Sequence, residues 1–575
     1  MNKPLIHFLL ATNFLLLLFF ESNAAVLVKL EPAGEGKGAE ARTLLMRKGA
    51  AHVRSFSHIG WESWSPPKGM SDETFADAIA HLPGVKKVQK PVRIQLFDVF
   101  PNDPAFFKWQ WALYNENKPE YDLDAPATWD IATGSPDIVV AVIDTGIDPT
   151  HPDLIPNIWT NPLEIPNNDT DDDGNGFIDD DMGWDFANNN NLPYDNLGHG
   201  THVSGIIGAA GNNGIGICGV NWNVSLLTIK TFEGREATDE QILPAFDYIL
   251  GLGQKVHVIN ASWGGSTPSL AMRDAIAECG RRGILLVAAA GNEKVNTTEN
   301  PMYPGAFDLP NIITVGGSTK DGFKYTNTNF GPFVHICAPG DMIYSAYPQP
   351  TLYGTLSGTS MAAPHVTGAA ALLLSERGSL SPEYMRSLFI GSAKPVAYLS
   401  DISLSQGLLN LPALFAEDGS PPQPAANARI DGVGLTTATL SFELPLDDAP
   451  DELARIVEWR YSTAPISEEN WWDAVRIPAI LPQGTPQGRW QTINADRLEP
   501  DTLYYFAARS LDEGGNVSPV SIPLTARTAP AELIWLEDFE NGAPDWQLMP
   551  GFWDVATSPS LAANGNRFLF HPERM

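Results

Sequence analysis

Cysteine is scarce: Cys218, Cys279 and Cys337 are the only three in 575 residues. At most one disulfide could form, so the chain is no disulfide-stapled scaffold, and packing or bound metal must stabilise it. Buried free thiols are the expectation. Charge is sparse too, at 18% against 43% hydrophobic residues, which excludes a mainly disordered chain. The charge leans one way: 36 Lys and Arg against 68 Asp and Glu leave −32. Such a surface repels phosphate backbones and concentrates cations, so no nucleic-acid partner is expected. Beyond the N-terminus no run approaches the roughly 18 apolar residues of a spanning helix, so no integral membrane association is expected either. Turn formers, by contrast, are plentiful, with 50 Gly and 47 Pro.

Residues 1–25 read as a secretory signal peptide. Lys3 precedes an apolar run over 5–20, and ESNAA offers small residues for cleavage after Ala24 or Ala25. The alternative is an uncleaved anchor, but the run is short and holds His7, Thr12 and Asn13. A secreted, extracellular and monomeric product is expected.

Four regions follow. Residues 26–101 mix strand-like VLVKL, helix-like ARTLLMRK and DETFADAIAH, and strand-like GVKKVQKPVRIQLF. From 102 to 416, short apolar runs such as IVVAVID and ILLVAAA alternate with longer segments of helical period. That alternation predicts an α/β fold, a mostly parallel sheet with helices on both faces. EDGSPPQPAAN (417–427) is a Pro-rich linker. Beyond it, TLSFELP, RIVEWRYST and LEPDTLYYFAARS alternate with period two and predict antiparallel strands. The last of these resembles a late strand of a fibronectin type III sandwich, with its tyrosine corner, over 428–528. Residues 529–575 read as the start of a further β module, too short to stand readily alone.

Three islands in 102–416 carry chemistry. Asp144 ends the apolar strand of AVIDTGID, His199 sits between glycines in NLGHGTHVSG, and Ser360 lies in GTLSGTSMAAPHVTG just before an apolar helix. Taken singly, the Asp is a turn former, the His structural and the Ser a helix cap. Together they supply a hydroxyl nucleophile, an imidazole to take its proton, and a carboxylate to hold the imidazole. VIDTGID, HGTHVSG and GTSMAAPHVTG closely resemble the three signature blocks of subtilisin-like serine proteases, in the order Asp, His, Ser.

The resemblance implies that Asp144 orients, His199 acts as general base and then acid, and Ser360 attacks. It also implies that Asn292, in VAAAGNE, donates to the oxyanion. His202 of the same HGTH block is read as structural. Ser262, Trp263 and Gly264 of NASWGGS resemble the segment that pairs with an extended peptide substrate. Trp263 is larger than the aliphatic residue common there, which alters the rim of the cleft. The family adds a pro-segment, here 26–101, that serves as chaperone and inhibitor. Its last strand lies in the active site, so autocatalytic cleavage is expected within about 95–104. Protein substrates and the chain's own pro-segment are therefore the expected partners. The alternative, a non-catalytic binding or adhesion protein on a protease-like fold, would need a broken triad, and each position is filled.

Calcium is the expected cofactor, from two loops. In DTDDDGNGFIDD, Asp169, Asp171, Asp173 and Asp180 stand at positions 1, 3, 5 and 12 of an EF-hand-like loop with Gly174 at position 6. Position 12 carries Asp, which reaches less far than Glu. The loop GNNGIGICG resembles the family's strong calcium loop. That likeness implies ligand roles for Asn213, for the carbonyls of Gly211, Ile215 and Ile217, and for Asp153. Gln110 is a further candidate.

Overall fold

The computed structural model describes residues 26–31, 36–68, 70–90, 99–252, 255–448, 452–481, 490–531, 554–556 and 568–570. The signal expected at 1–25, the end of the expected pro-segment (91–98) and most of 529–575 lie outside the described residues. The chain divides into two compact units, Met1–Phe97 and Asp98–Met575.

In the first unit an antiparallel sheet runs in the order Ala51–Phe56, Trp61–Ser65, Val26–Leu30, Val85–Gln89. Helices Lys37–Arg47 and Asp72–Ile79 complete a βαββαβ chain order. Ser71 caps the second helix by accepting the Thr74 N–H at 3.2 Å. Val26, Val28, Leu45, Trp64, Phe75 and Ile79 form the core. The Ala51–Phe56 and Trp61–Ser65 hairpin is the element sequence reading missed. Its outer strand is exposed and polar, so it shows little period-two contrast.

The second unit is built on a nine-stranded sheet among the described residues. Its central order is Ile336–Pro339, Ile312–Ser318, Leu285–Ala289, Val258–Ala261, Gly134–Asp144, Asn223–Lys230, and all of these pairs are parallel. Strand Gly134–Asp144 is buried continuously from Ile138 onward, as a strand covered on both faces must be. Its side chains alternate between two cores. Val140 and Val142 join the core containing helices His199–Gly208 and Thr359–Arg377. Val139, Ala141 and Ile143 join the one containing Asp239–Gly251 and Leu270–Arg281. The expected α/β architecture is the one observed. All three cysteines are buried free thiols, and no helix among the described residues is long and apolar enough to cross a membrane.

After the Pro-rich segment come two further antiparallel sheets. One joins Arg429–Val433, Ala438–Glu443 and Trp490–Ala495; the other joins Val475–Arg476, Ile456–Ser462, Leu503–Leu511 and Leu524–Arg527. Leu440, Phe442, Trp459 and Phe506 fill the space between them. The Tyr504 hydroxyl accepts the Glu499 N–H at 2.9 Å, a corner of the kind the sequence suggested. Despite the linker, this sandwich lies in one compact unit with the α/β part. Ile390 and Leu404 pack on Ile456 and Leu511. The Arg455 guanidinium donates to the Ala393 carbonyl at 2.6 Å. A Cβ on Gly391 would lie 1.9 Å from the Asp512 carbonyl oxygen, so only glycine fits this contact.

Candidate active site

The parallel sheet delivers its chemistry at the carboxyl edge, where open α/β sheets place their ligands. Asp144 is the last residue of the central strand. Ser262 follows Val258–Ala261 and Asn292 follows Leu285–Ala289, the next two strands along. His199 opens the helix His199–Gly208, and Ser360 lies in the first turn of Thr359–Arg377. All five side chains line one cleft of about 1030 Å³.

Asp144 is buried, and its Oδ1 sits 2.7 Å from His199 Nδ1 while accepting the Thr145 N–H at 2.8 Å. Burial pulls the His199 imidazolium down, but the charge of Asp144 and its hydrogen bond outweigh that, so the pKa is raised above the ordinary value. With Nδ1 facing Asp144, Nε2 is left for the cleft. Asp195 fixes the start of this helix: it accepts from Leu197, Gly198 and Thr201 N–H and from the Thr145 and Thr201 hydroxyls. Sequence reasoning missed Asp195, whose only signal is an acidic residue just ahead of a helix start. His202 is fully buried, its Nε2 lies 3.0 Å from the Ile343 carbonyl, and burial lowers its pKa to about 3. That is a structural histidine.

The serine helix starts earlier than its apolar run suggests. Gly358 occupies the cap position, so Ser360 is not the cap. Pro364 has no N–H to return to the Ser360 carbonyl. That carbonyl accepts the Ser262 hydroxyl instead, at 2.9 Å, and Ser360 Oγ donates to the Ser262 carbonyl at 3.0 Å. Ser262 thus holds the serine at both its backbone and its hydroxyl. Asn292 Oδ1 accepts the Thr359 N–H at 2.9 Å and its hydroxyl at 3.2 Å, which leaves the amide Nδ2 to donate. A Cβ on Gly358 would fall 3.6 Å from Asn292 Nδ2 and 3.7 Å from Ser360 N. Glycine therefore keeps open the space on which these two donors converge. Trp263 donates its indole N–H to the Ile143 carbonyl at 2.9 Å and packs near Phe232, so it is pinned beside the Asp144 strand. Gly264 lines the cleft beside it.

The acidic loop gathers a different set from the expected one. Glu164, Asp173 and Asp180 bring carboxylate oxygens within 4.8 Å of one another. Asp180 is fully buried and accepts the Tyr248 hydroxyl at 2.5 Å. Glu164 Oε1 accepts the Asp172 and Asp173 N–H groups, whereas its buried Oε2 has no hydrogen-bond partner among the described residues. Burial, with Asp180 and Asp173 nearby, raises the Glu164 pKa. Asp169 and Asp171 are not in the cluster. Asp171 is spent on the turn itself, accepting N–H groups of Gly174, Asn175 and Gly176.

In the other loop, buried Asp153 accepts the Asn213 amide at 3.0 Å, the Ile217 N–H at 3.0 Å and the Tyr353 hydroxyl at 2.8 Å. The carbonyls of Gly211, Ile215 and Ile217 accept no hydrogen bond among the described residues. The Gln110 amide spans the Cys218 backbone, its Nε2 donating to the carbonyl at 2.6 Å and its Oε1 accepting the N–H at 3.1 Å. A second carboxylate, Asp103, also reaches this loop and accepts the Asn212 and Asn213 N–H groups. Burial raises its pKa and the charge of Asp153 adds to that. Sequence reasoning missed it, because nothing local to residue 103 indicates a loop more than 100 residues away.

Comparison with known proteins identifies the family. The family model described as the subtilase family matches residues 135–432. Thermitase of Thermoactinomyces vulgaris is 36% identical over 282 residues, 49% of this chain and 88% of that protein. The major intracellular serine protease of Bacillus subtilis (strain 168) is 37% identical over 259 residues, covering 44% and 73%. For subtilisin-like protease 1 of Plasmodium falciparum the identity is 36% over 263 residues, with 42% and only 38% covered. Among solved structures, a protease from Pseudoalteromonas arctica aligns with TM-score 0.45 at 28% identity, covering 54% of this chain and 98% of that one. With the family match spanning just over half of its 575 residues, the chain belongs to the subtilase family of serine proteases.

Proposed function

We propose that the chain is a secreted serine endopeptidase, stabilised by calcium and matured by removal of residues 26–101. The observation that carries the catalytic reading is the 2.7 Å contact of His199 Nδ1 with buried Asp144, in the cleft that Ser360 also lines. An extended peptide pairs with the Ser262–Trp263–Gly264 edge. The Ser360 hydroxyl turns from the Ser262 carbonyl toward His199 Nε2, gives up its proton there, and attacks the scissile carbonyl carbon. Asn292 Nδ2 and the Ser360 N–H take the oxyanion. The intermediate collapses to an acyl-enzyme as His199 returns the proton to the leaving amine. Water, activated by the same imidazole, then releases the acid. Asp144 stays ionised throughout, holding the tautomer and balancing the imidazolium.

Both loops fit calcium by the donors gathered at them, which are carboxylate and carbonyl oxygens. In one, the unpartnered Glu164 Oε2 faces a cluster completed by Asp173 and Asp180. In the other, the carboxylates of Asp153 and Asp103 and the side chain of Asn213 lie near the unengaged carbonyls of Gly211, Ile215 and Ile217. Asp171 is left to shape the turn. Bound calcium would neutralise facing carboxylates; it takes no part in the acyl transfer.

The pro-segment reading is supported by an independent βαββαβ unit that ends at Phe97, inside the expected cleavage window. The three-plus-four strand arrangement and the Tyr504 corner support a fibronectin type III-like module over 428–528. The test is to express wild type and Ser360→Ala in a protease-free host. Wild type should cut an added protein at internal bonds and lose residues 26–101, and the variant should do neither. Normal trimming of the variant would overturn autocatalysis, and internal cutting by it would overturn the nucleophile assignment.

A further inference from the structure

The turn that backs the substrate edge is held from the sandwich. Tyr303 lines the cleft and exchanges both backbone hydrogen bonds with Gly265. Its N–H donates to the Gly265 carbonyl at 2.7 Å, and its carbonyl accepts the Gly265 N–H at 2.8 Å. Gly265 directly follows the Ser262–Trp263–Gly264 segment, so Tyr303 sets where that edge lies. The chain then turns tightly: Ala306 N–H donates to the Met302 carbonyl at 2.7 Å and Phe307 N–H to the Pro304 carbonyl at 3.0 Å. The rings of Tyr303 and Phe307 lie 4.7 Å apart. Phe307 and Leu309 are buried in the core against which Trp263 and Tyr303 pack. Residues 302–309 thus form one small block behind the edge.

Asp308, between those two buried anchors, gives its carboxylate to Arg460 of the sandwich strand Ile456–Ser462. Arg460 Nη2 donates to Oδ1 at 3.0 Å, and Nη1 lies 2.8 Å from Oδ2. Such a two-point contact fixes direction as well as distance. The guanidinium is itself immobilised by the sandwich. It is fully buried, donates to Glu458 Oε1 at 3.0 and 2.8 Å and to the Ala474 carbonyl at 2.9 Å, and lies 4.5 Å from the Trp472 ring. It therefore carries the position of the sandwich to the block it grips.

An ion pair that merely fastened the two parts together could land anywhere along their junction. This one lands on the turn that closes on the substrate edge. We propose that Arg460 is a positioning residue for substrate binding: through Asp308 and the 302–309 turn, the sandwich fixes the edge on which an extended peptide pairs. The proposal rests on the peptidase reading of the cleft and adds to it a role for the C-terminal module. Asp144, His199 and Ser360 take no part, so loosening the turn weakens peptide binding more than turnover.

The experiment is Asp308→Asn in the full chain. Glu458 remains as the countercharge of Arg460, so no buried charge is left alone. With active sites counted by a fluorophosphonate, KM for an extended, quenched-fluorescent peptide should rise roughly fivefold to tenfold, the size of one hydrogen bond to the edge. kcat should change by less than about twofold. Asp308→Glu should recover part of the loss. Arg460→Lys, which keeps the charge beside Glu458 but cannot make the two-point contact, should shift KM the same way. In the Ser360→Ala chain, amide exchange at Gly265 and Tyr303 should quicken on adding Asp308→Asn, a readout that needs no activity. Unchanged KM in both variants, a loss confined to kcat, or unaltered exchange at those two amides would overturn the proposal while leaving the peptidase reading intact. A wild-type Ser360 that the fluorophosphonate does not label would overturn both.

Discussion

In the cleft, the buried carboxylate of Asp144 meets an imidazole at 2.7 Å; in the acidic loop, Glu164, Asp173 and Asp180 meet one another. The first arrangement pairs the charge of Asp144 with the imidazole, although the buried Asp144 Oδ2 has no hydrogen-bond partner among the described residues. The carboxylate holds the ring, the ring is free at Nε2, and Asn292 and Ser360 are already held by Thr359 and Ser262. In the second, the Asn161 and Asn175 amides bridge Asp173 and Asp180, while Glu164 Oε2 has no hydrogen-bond partner among the described residues, which is where we propose a cation. On the proposed reading, one region is preorganised by the chain alone and the other is completed by a cation. Damage to the cleft should therefore change rate and leave stability alone, whereas damage to the loop should do the reverse.

The largest effect comes from breaking the triad. Ser360→Ala and His199→Ala should each lower kcat by about 10⁶, and the double variant should be hardly worse, because the groups act as one unit. Losses that multiply would contradict a shared role. Because all three variants keep residues 26–101, their melting temperatures should be compared with one another and agree within about two degrees. Next comes Asn292→Ala, expected to cost about 10²–10³ in kcat with little change in KM, since the donor acts on charge that develops only in the transition state. An effect confined to KM would argue against that role.

The loops give a smaller effect, on stability. Calcium at a hundredfold excess over its Kd adds about 2.7 kcal/mol per site. Chelation should lower the melting temperature of the Ser360→Ala protein, where self-digestion cannot confuse the result, and Glu164→Gln should blunt that response. A chelator-insensitive melt would remove calcium from the account.

The smallest effect is a displaced pH profile. Because Asp144 raises the His199 pKa, the half-rise of kcat/KM should lie above the ordinary histidine value of about 6.5. The sign is opposite for folding. A raised folded-state pKa gives stability that is present below the unfolded value and lost as pH climbs through the folded one. Asp144→Asn should bring the midpoint down.

What could be read in advance divides along similar lines. Asp144, His199, Ser360 and Asn292 each lie inside a short run at a strand end or a helix start, and their expected roles came from the resemblance of those runs to subtilisin-like signature blocks. The alternation of buried strands and amphipathic helices likewise dictated a parallel sheet. Asp195, Asp103 and Glu164 were illegible because their partners are set by loop closure: Asp103 meets Asn212 and Asn213, and Glu164 meets Asp173 and Asp180. An EF-hand-like spacing selected Asp169 and Asp171, but the turn uses Asp171 for its own N–H groups. The Pro-rich linker suggested a separate sandwich. Arg460, which reaches Asp308 across 152 residues of chain, joins it to the peptidase part instead.

The most direct test is covalent labelling of the full chain with a fluorophosphonate probe, followed by peptide mapping. The account predicts one modification, on Ser360, that is lost in His199→Ala and retained in Glu164→Gln with calcium present. Labelling spread over other serines, or undiminished labelling of Ser360 in His199→Ala, would contradict it.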